Sequence, residues 1–216
     1  MNLLLKLIAL FVTLFLAIFL VVKLFGLLSL DEIQTWFEAI QNQPSYVVGG
    51  LVTLLLFVDL FLSIPTMAMV LLAGYFLGFF MGALYALLGL AMASFTGYFL
   101  SLKYGEKGLH LISKSSKEQE EMQQLFEQYG TSMIILSRAV PMLPEISSAL
   151  AGVTKMPFHK FVTAWLLSSL PYVLVLSYVG SMSNLENPLP ALLGVGGLTL
   201  LLWSAWFVKV KWRVED

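Results

Sequence analysis

The residues of this chain best equipped for chemistry are an arginine and two carboxylates. Arg138 and Glu145 share the stretch Ser137-Arg138-Ala139-Val140-Pro141-Met142-Leu143-Pro144-Glu145, and Asp59 lies far upstream. A guanidinium is a planar fork of donors suited to phosphate or carboxylate, and a carboxylate can carry a proton. All three sit in sequence apolar enough to lie in a membrane. There a charge costs about 3 kcal/mol or more at mid-depth, and a proline leaves a helical carbonyl without its partner. Such residues persist only where protein or water satisfies them. This marks them as the candidate functional centre.

The composition supports that setting. Apolar residues make up 59% of the 216 and charged residues 12%, with a mean hydropathy of +0.87. Soluble domains carry roughly 25% charged residues, so an all-α integral membrane protein is predicted. There are no cysteines and only two histidines, the well-separated His110 and His159. A disulfide framework is thereby excluded, and no metal site or cofactor is expected. A net charge of -1 gives no electrostatic case for nucleic acid. No nucleophile–base pair stands out, so an enzyme is not expected either.

The elements that must position the charges follow in order. The apolar run from Leu7, preceded by Lys6, to Leu28 reads as a retained first transmembrane helix rather than a cleaved signal. Ser29 and Glu32 form a capping box, and Ile33, Trp36, Phe37 and Ile40 give a short amphipathic interfacial helix ending at Pro44. From Tyr46 to Leu102 the only charge is Asp59, and no solvated turn is available for three full spans. Residues 46–80 are therefore predicted to form a re-entrant hairpin turning near Pro65, with a span over about Met81–Leu102. Gly74, Gly78, Gly82, Gly89 and Gly97 allow close helix approach.

Lys103–Tyr129 is the aqueous stretch. It holds a second short amphipathic helix capped by Ser115 or Ser116, with Gly130 as its C′ residue, and His110 is expected at the surface. Residues 131–157 form a second hairpin around Pro141 and Pro144, ending at Gly152. Lys155, His159 and Lys160 at its exit suit headgroup-level anchoring. Spans over Phe161–Gly180, kinked at Pro171, and Leu189–Val208 complete the chain. The total is about four full spans, two facing re-entrant hairpins and two interfacial helices. The domain limits are residues 1–45, a core over 46–183, and 184–216.

No Lys or Arg occurs between Lys23 and Lys103. The positive-inside rule then puts both termini in the cytoplasm, in a plasma (inner) membrane, with the hairpins entering from opposite faces. The hairpins also share a layout. Asp59 stands 15 residues before Gly74, and Arg138 stands 14 before Gly152. This is the pattern of an inverted repeat, in which broken segments meet at a midplane site. At such a site Arg138 would hold an anionic headgroup, and Asp59 or Glu145 would carry a coupling proton. A bland alternative has Arg138 neutralised by one of those carboxylates.

At these residues the sequence resembles the DedA/VTT-domain superfamily, also called SNARE-associated Golgi proteins. The resemblance rests on Ala73-Gly74-Tyr75-Phe76-Leu77-Gly78 with Gly82, and on Tyr104-Gly105. In the second half it rests on Arg138 through Glu145, Ala151-Gly152, Met156-Pro157-Phe158, Phe161, Pro171 and Tyr178-Val179-Gly180. It implies two facing re-entrant hairpins and movement of lipids between leaflets, either phospholipids or polyprenyl-phosphate carriers. Asp59 matches the family's acidic residue in the first hairpin, and Arg138 its first arginine in the second. The DedA branch carries a second arginine where this chain has Pro144, followed by Glu145, so one guanidinium must do the work of two. The expected partners are membrane lipids, with protons or cations for coupling. An ion-coupled carrier of a small solute and a non-transporting membrane scaffold are the alternatives.

Overall fold

The structure is a computed structural model that describes residues 39–40, 42–62, 65–112, 116–140, 143–183, 189, 193–201 and 204. The expected first span, nearly all of the first interfacial helix, Pro141, the 184–188 loop and the basic tail lie outside the described residues. The described residues include five helices: α1 (Ser45–Leu62), α2 (Thr66–Ile112), α3 (Ser116–Leu136), α4 (Leu143–Val153) and α5 (Phe158–Met182). A 3-10 turn, Ser137–Ala139, links α3 towards α4. No strand occurs among the described residues.

Helices α1 and α5 each bury one stripe and leave another exposed although both are apolar. On α1, Val48, Val52, Leu56 and Asp59 point inward, while Val47, Leu51, Leu54 and Phe61 are exposed. On α5, Phe161, Ala164, Ser168, Tyr172 and Val173 point inward, against exposed Leu167, Leu170, Leu174 and Met182. An apolar outer face fits lipid as solvent, because hydrocarbon demands no polar surface. Among the described residues, Thr66–Gly105 and Phe158–Met182 are the two helices long and apolar enough to cross a membrane.

The first of these is not one rod. Gly78 has φ 75° and ψ 175°, outside helical geometry, and divides α2 into Thr66–Leu77 and a longer limb. A Cβ at Gly82 would run into the backbone of Ala73, so the two limbs fold back closely at that point. The first limb is about 18 Å long at 1.5 Å per residue, and α4, with 11 residues, is about 16 Å. Neither can cross about 30 Å of hydrocarbon. The long limb lies along α1: Gly49 meets Tyr85, Gly89 meets Thr53 and Leu56, and Gly97 approaches Leu60.

Glycines lock the halves together. At Gly74, in the short limb of α2, a Cβ would strike the backbone of Ser177 in α5. At Gly152, in α4, it would strike the backbone of Tyr98 and Leu102 in the long limb of α2. Each half thus seats its short helix against the long helix of the other. An aromatic layer joins those long helices. Tyr98 stacks on Phe161 at 4.9 Å, Trp165 packs on Phe95, and Trp165 Nε1 donates to Ser94 Oγ at 2.9 Å.

Two boundaries differ from the sequence reading. The helix expected to stop at Gly130 runs on to Leu136, because Phe126 and Ile134 continue one buried stripe and the ring of Phe126 fills the space a Cβ at Gly130 would need. The long limb of α2 likewise extends past Leu102 to Ile112. At the end of α4, Met156 N–H donates to Ala151 O at 2.9 Å and Lys155 N–H to Gly152 O at 3.0 Å. With Lys155 at φ 55°, this is a Schellman closure. Lys155, His159 and Lys160 are all exposed.

The glycines separate packing from backbone conformation. Gly74→Ala and Gly152→Ala are expected to cost about 1–3 kcal/mol by overpacking. Gly78→Ala is expected to cost a similar ~1–3 kcal/mol through backbone strain alone, since its Cβ would meet nothing. Gly50→Ala, also in open space, is expected to be neutral or stabilising. Thermal unfolding of the detergent-purified protein checks all four.

Candidate functional site

The register that buries the aliphatic stripe of α1 also buries Asp59, one turn beyond Leu56 and 7% exposed. Across the Pro65 turn, Thr66 Oγ1 donates to Asp59 Oδ2 at 2.8 Å. In the other half, the buried stripe of α3, Phe126, Gly130 and Ile134, leads into the 3-10 turn and delivers Arg138, 9% exposed. Ser137 Oγ folds back to donate to Ile134 O at 2.7 Å. Leu143 N–H donates to Val140 O at 3.3 Å and closes the turn into α4.

Arg138 points at α5. Its Nη2 donates to Ser169 Oγ at 3.0 Å, and its Cζ lies 5.2 Å from the centre of the Tyr172 ring. Ser169 and Tyr172 are three residues apart and so share a helix face. A ring face under a guanidinium gives a cation–π contact that leaves the in-plane donors free for other partners. Glu145 occupies the first turn of α4, where the helix N-terminus favours a negative charge. Pro144 is tolerated there because a first-turn N–H has no helical partner. Ser147 and Ser148 both donate to the Pro144 carbonyl, at 3.0 and 2.7 Å.

Glu145 lies within electrostatic reach of Arg138 and of Asp59, and Tyr172 within reach of all three. The three charges singled out in the sequence therefore converge from α1, the 3-10 turn and α4 on one face of α5. Two atoms there have no hydrogen-bond partner although both are buried: Arg138 Nε and Glu145 Oε2. Ser168 Oγ and Ser177 Oγ are in the same condition, but a helical serine can turn back to its own i−4 carbonyl. A guanidinium Nε has no such escape, and the Glu145 carboxyl bonds its own backbone N–H yet leaves Oε2 without a partner. Leaving such a group unsatisfied costs about 1–3 kcal/mol, and more when it is charged. A donor and an acceptor thus stand unsatisfied in one buried neighbourhood.

Residues 64–182 match the VTT domain family. The chain belongs to the VTT-domain (DedA) family. The matched part of the VTT domain begins at the Pro65 turn, so it contains Arg138, Glu145, Ser169 and Tyr172 and leaves α1 with Asp59 outside. A curated relative, undecaprenyl phosphate transporter A of Bacillus subtilis (strain 168), is 32% identical over 78 residues. Those residues are 36% of this chain and 37% of that protein, so the chain spans little more than a third of the relative it matches. No solved structure matches.

Within this VTT domain, Gly74 and Gly152 are packing positions and Gly78 is a conformational one. Sequence reasoning did not select Thr66, Ser169 or Tyr172. Two signals were available: Thr66 follows Pro65, and the pair Ser168-Ser169 interrupts an apolar helix just before Pro171-Tyr172.

The contact of Arg138 with Ser169 is checked by a double-mutant cycle. Ser169→Ala alone is expected to destabilise by about 1–3 kcal/mol. In the Arg138→Ala background it is expected to cost much less, because the two effects share one hydrogen bond.

Proposed function

We propose that this protein moves phosphate-bearing lipids between the leaflets of a membrane. Arg138 engages the phosphate, and the acyl or polyprenyl chains stay in the bilayer. One observation carries the reading: a buried, permanently charged guanidinium whose Nε has no partner, backed by a tyrosine ring and steadied by one serine. A purely structural arginine would have its donors filled by the protein. Membership of the VTT-domain family and the relative's name, a transporter of a lipid phosphate, support the same direction.

The membrane arrangement proposed with it has four spans. Residues 46–80 and 131–157 are re-entrant hairpins from opposite faces, and both termini are cytoplasmic. Support comes from the two short limbs, Thr66–Leu77 and α4, and from the crossed seating of Gly74 and Gly152. The hairpins bring Asp59 and Arg138 together at the ends of their first arms, which is where broken segments of inverted repeats place a substrate site. Asp59 or Glu145 carries the coupling proton in this scheme, since an intramembrane carboxylate near a transport site suits a proton relay.

Purified protein in liposomes with acyl-labelled lipids, read by leaflet-selective quenching, tests the proposal. Arg138→Ala is expected to lower lipid movement about tenfold or more, the equivalent of losing one charge-assisted hydrogen bond. Arg138→Lys keeps the charge but loses the planar fork, and is expected to fall between the two. Wild-type protein that is folded yet moves no lipid would overturn the reading, as would an Arg138→Ala variant as active as wild type.

A further inference from the structure

The two buried carboxylates meet different kinds of partner. The Glu145 carboxyl bonds its own backbone N–H, a group that only donates and so suits the ionised form. Asp59 Oδ2 instead accepts from Thr66 Oγ1 at 2.8 Å, seven residues on and across the Pro65 turn. A hydroxyl is both donor and acceptor, and it rotates to suit its neighbour. It can donate to an ionised carboxylate and accept from a protonated one. A buried carboxyl that gains and loses a proton needs such a partner, because an unpaired polar group is penalised in either state.

The position of Thr66 fits that task. It is the first residue of α2, where a threonine commonly caps its own helix. Here its hydroxyl turns to the other arm of the hairpin instead. Asp59 is buried, Thr66 is half-buried and Pro65 is exposed, so burial falls from the carboxyl outward past the hydroxyl. Among the described residues, Arg138, Glu145 and Tyr172 face this carboxyl from the 3-10 turn, α4 and α5. The guanidinium holds its charge throughout, and a phenol stays neutral around neutral pH.

We propose that Thr66 is the positioning residue for proton uptake and release at Asp59. With Asp59 ionised, the Thr66 hydroxyl donates to Oδ2. When a proton delivered by water binds Oδ2, the new O–H donates to Thr66 Oγ1. The threonine hydrogen then turns to one of the carbonyls closing α1, which lack a helical partner. Loss of the proton reverses both steps. The inference rests on the lipid-transport reading above and assigns its coupling proton to Asp59 rather than Glu145.

The test follows acyl-labelled phosphatidylglycerol in proteoliposomes across the neutral pH range, with equal pH inside and outside. A phosphodiester has no second proton to titrate, unlike a phosphate monoester. Thr66→Val keeps the shape and removes the hydroxyl. It is expected to raise the pH midpoint of transport by about one unit, because a hydrogen bond to a charged oxygen is roughly twice as strong as a neutral one. Thr66→Ser keeps the hydroxyl and is expected to keep the wild-type midpoint. Infrared difference titration of the same samples reads carboxyl protonation without transport. The band absent from Asp59→Asn is expected to titrate with the transport midpoint and to move with it in Thr66→Val. Monodisperse gel filtration shows that the variants are folded. An unmoved midpoint in Thr66→Val, an equal shift in Thr66→Ser, or a titrating band lost in Glu145→Gln but not in Asp59→Asn would overturn this inference and leave lipid transport standing. Lipid movement independent of pH would do the same. Folded wild-type protein that moves no lipid would overturn both.

Discussion

Arg138 carries a charge that cannot be removed by losing a proton, because a guanidinium stays protonated under any condition a protein tolerates, and the fold holds it 9% exposed. Everything around it answers that requirement. The 3-10 turn ends the buried stripe of α3 just where the guanidinium is delivered, and α5 offers Ser169 and the Tyr172 ring on one face. The first turn of α4 presents Glu145. The end of α1 presents Asp59, held in turn by Thr66. In a low-dielectric interior these groups interact far more strongly than at a surface, so the positions of four helices are coupled to one side chain.

The glycines make that convergence geometrically possible. Gly74 and Gly152 remove the Cβ at the two places where a short helix presses on the backbone of a long helix from the other half. Gly78 supplies a dihedral combination open essentially to glycine alone, and so turns the short limb of α2 back against the long one. Without those three positions the short limbs could not sit close enough to bring Asp59 and Arg138 to one site. The charges and the packing are therefore two aspects of one design: buried polarity that only tight helix approach can satisfy.

Much of this is legible in the sequence, for identifiable reasons. The cost of charge and proline in apolar sequence pointed to Arg138, Glu145 and Asp59 directly. The offset between charge and Ala-Gly pair, 15 residues in one half and 14 in the other, anticipated paired short limbs with glycines at the contacts. What the sequence concealed depends on three-dimensional packing. Gly130 carries the composition of a helix stop, but the Phe126 ring occupies its open side and the helix continues. Ser169 and Tyr172 look ordinary within an apolar helix, and only the direction in which Arg138 points makes them part of the site. The unsatisfied Nε and Oε2 belong to individual atoms, and residue spacing carries no trace of them.

The central claim is that Arg138 engages a lipid phosphate rather than closing on a neighbouring carboxylate. A cryo-EM map of the protein in nanodiscs of phosphate-bearing lipids tests it most directly. The expected map shows headgroup density with its phosphate against Arg138. A map in which Arg138 Nε and Glu145 Oε2 bond directly to each other, with no lipid between them, would contradict it.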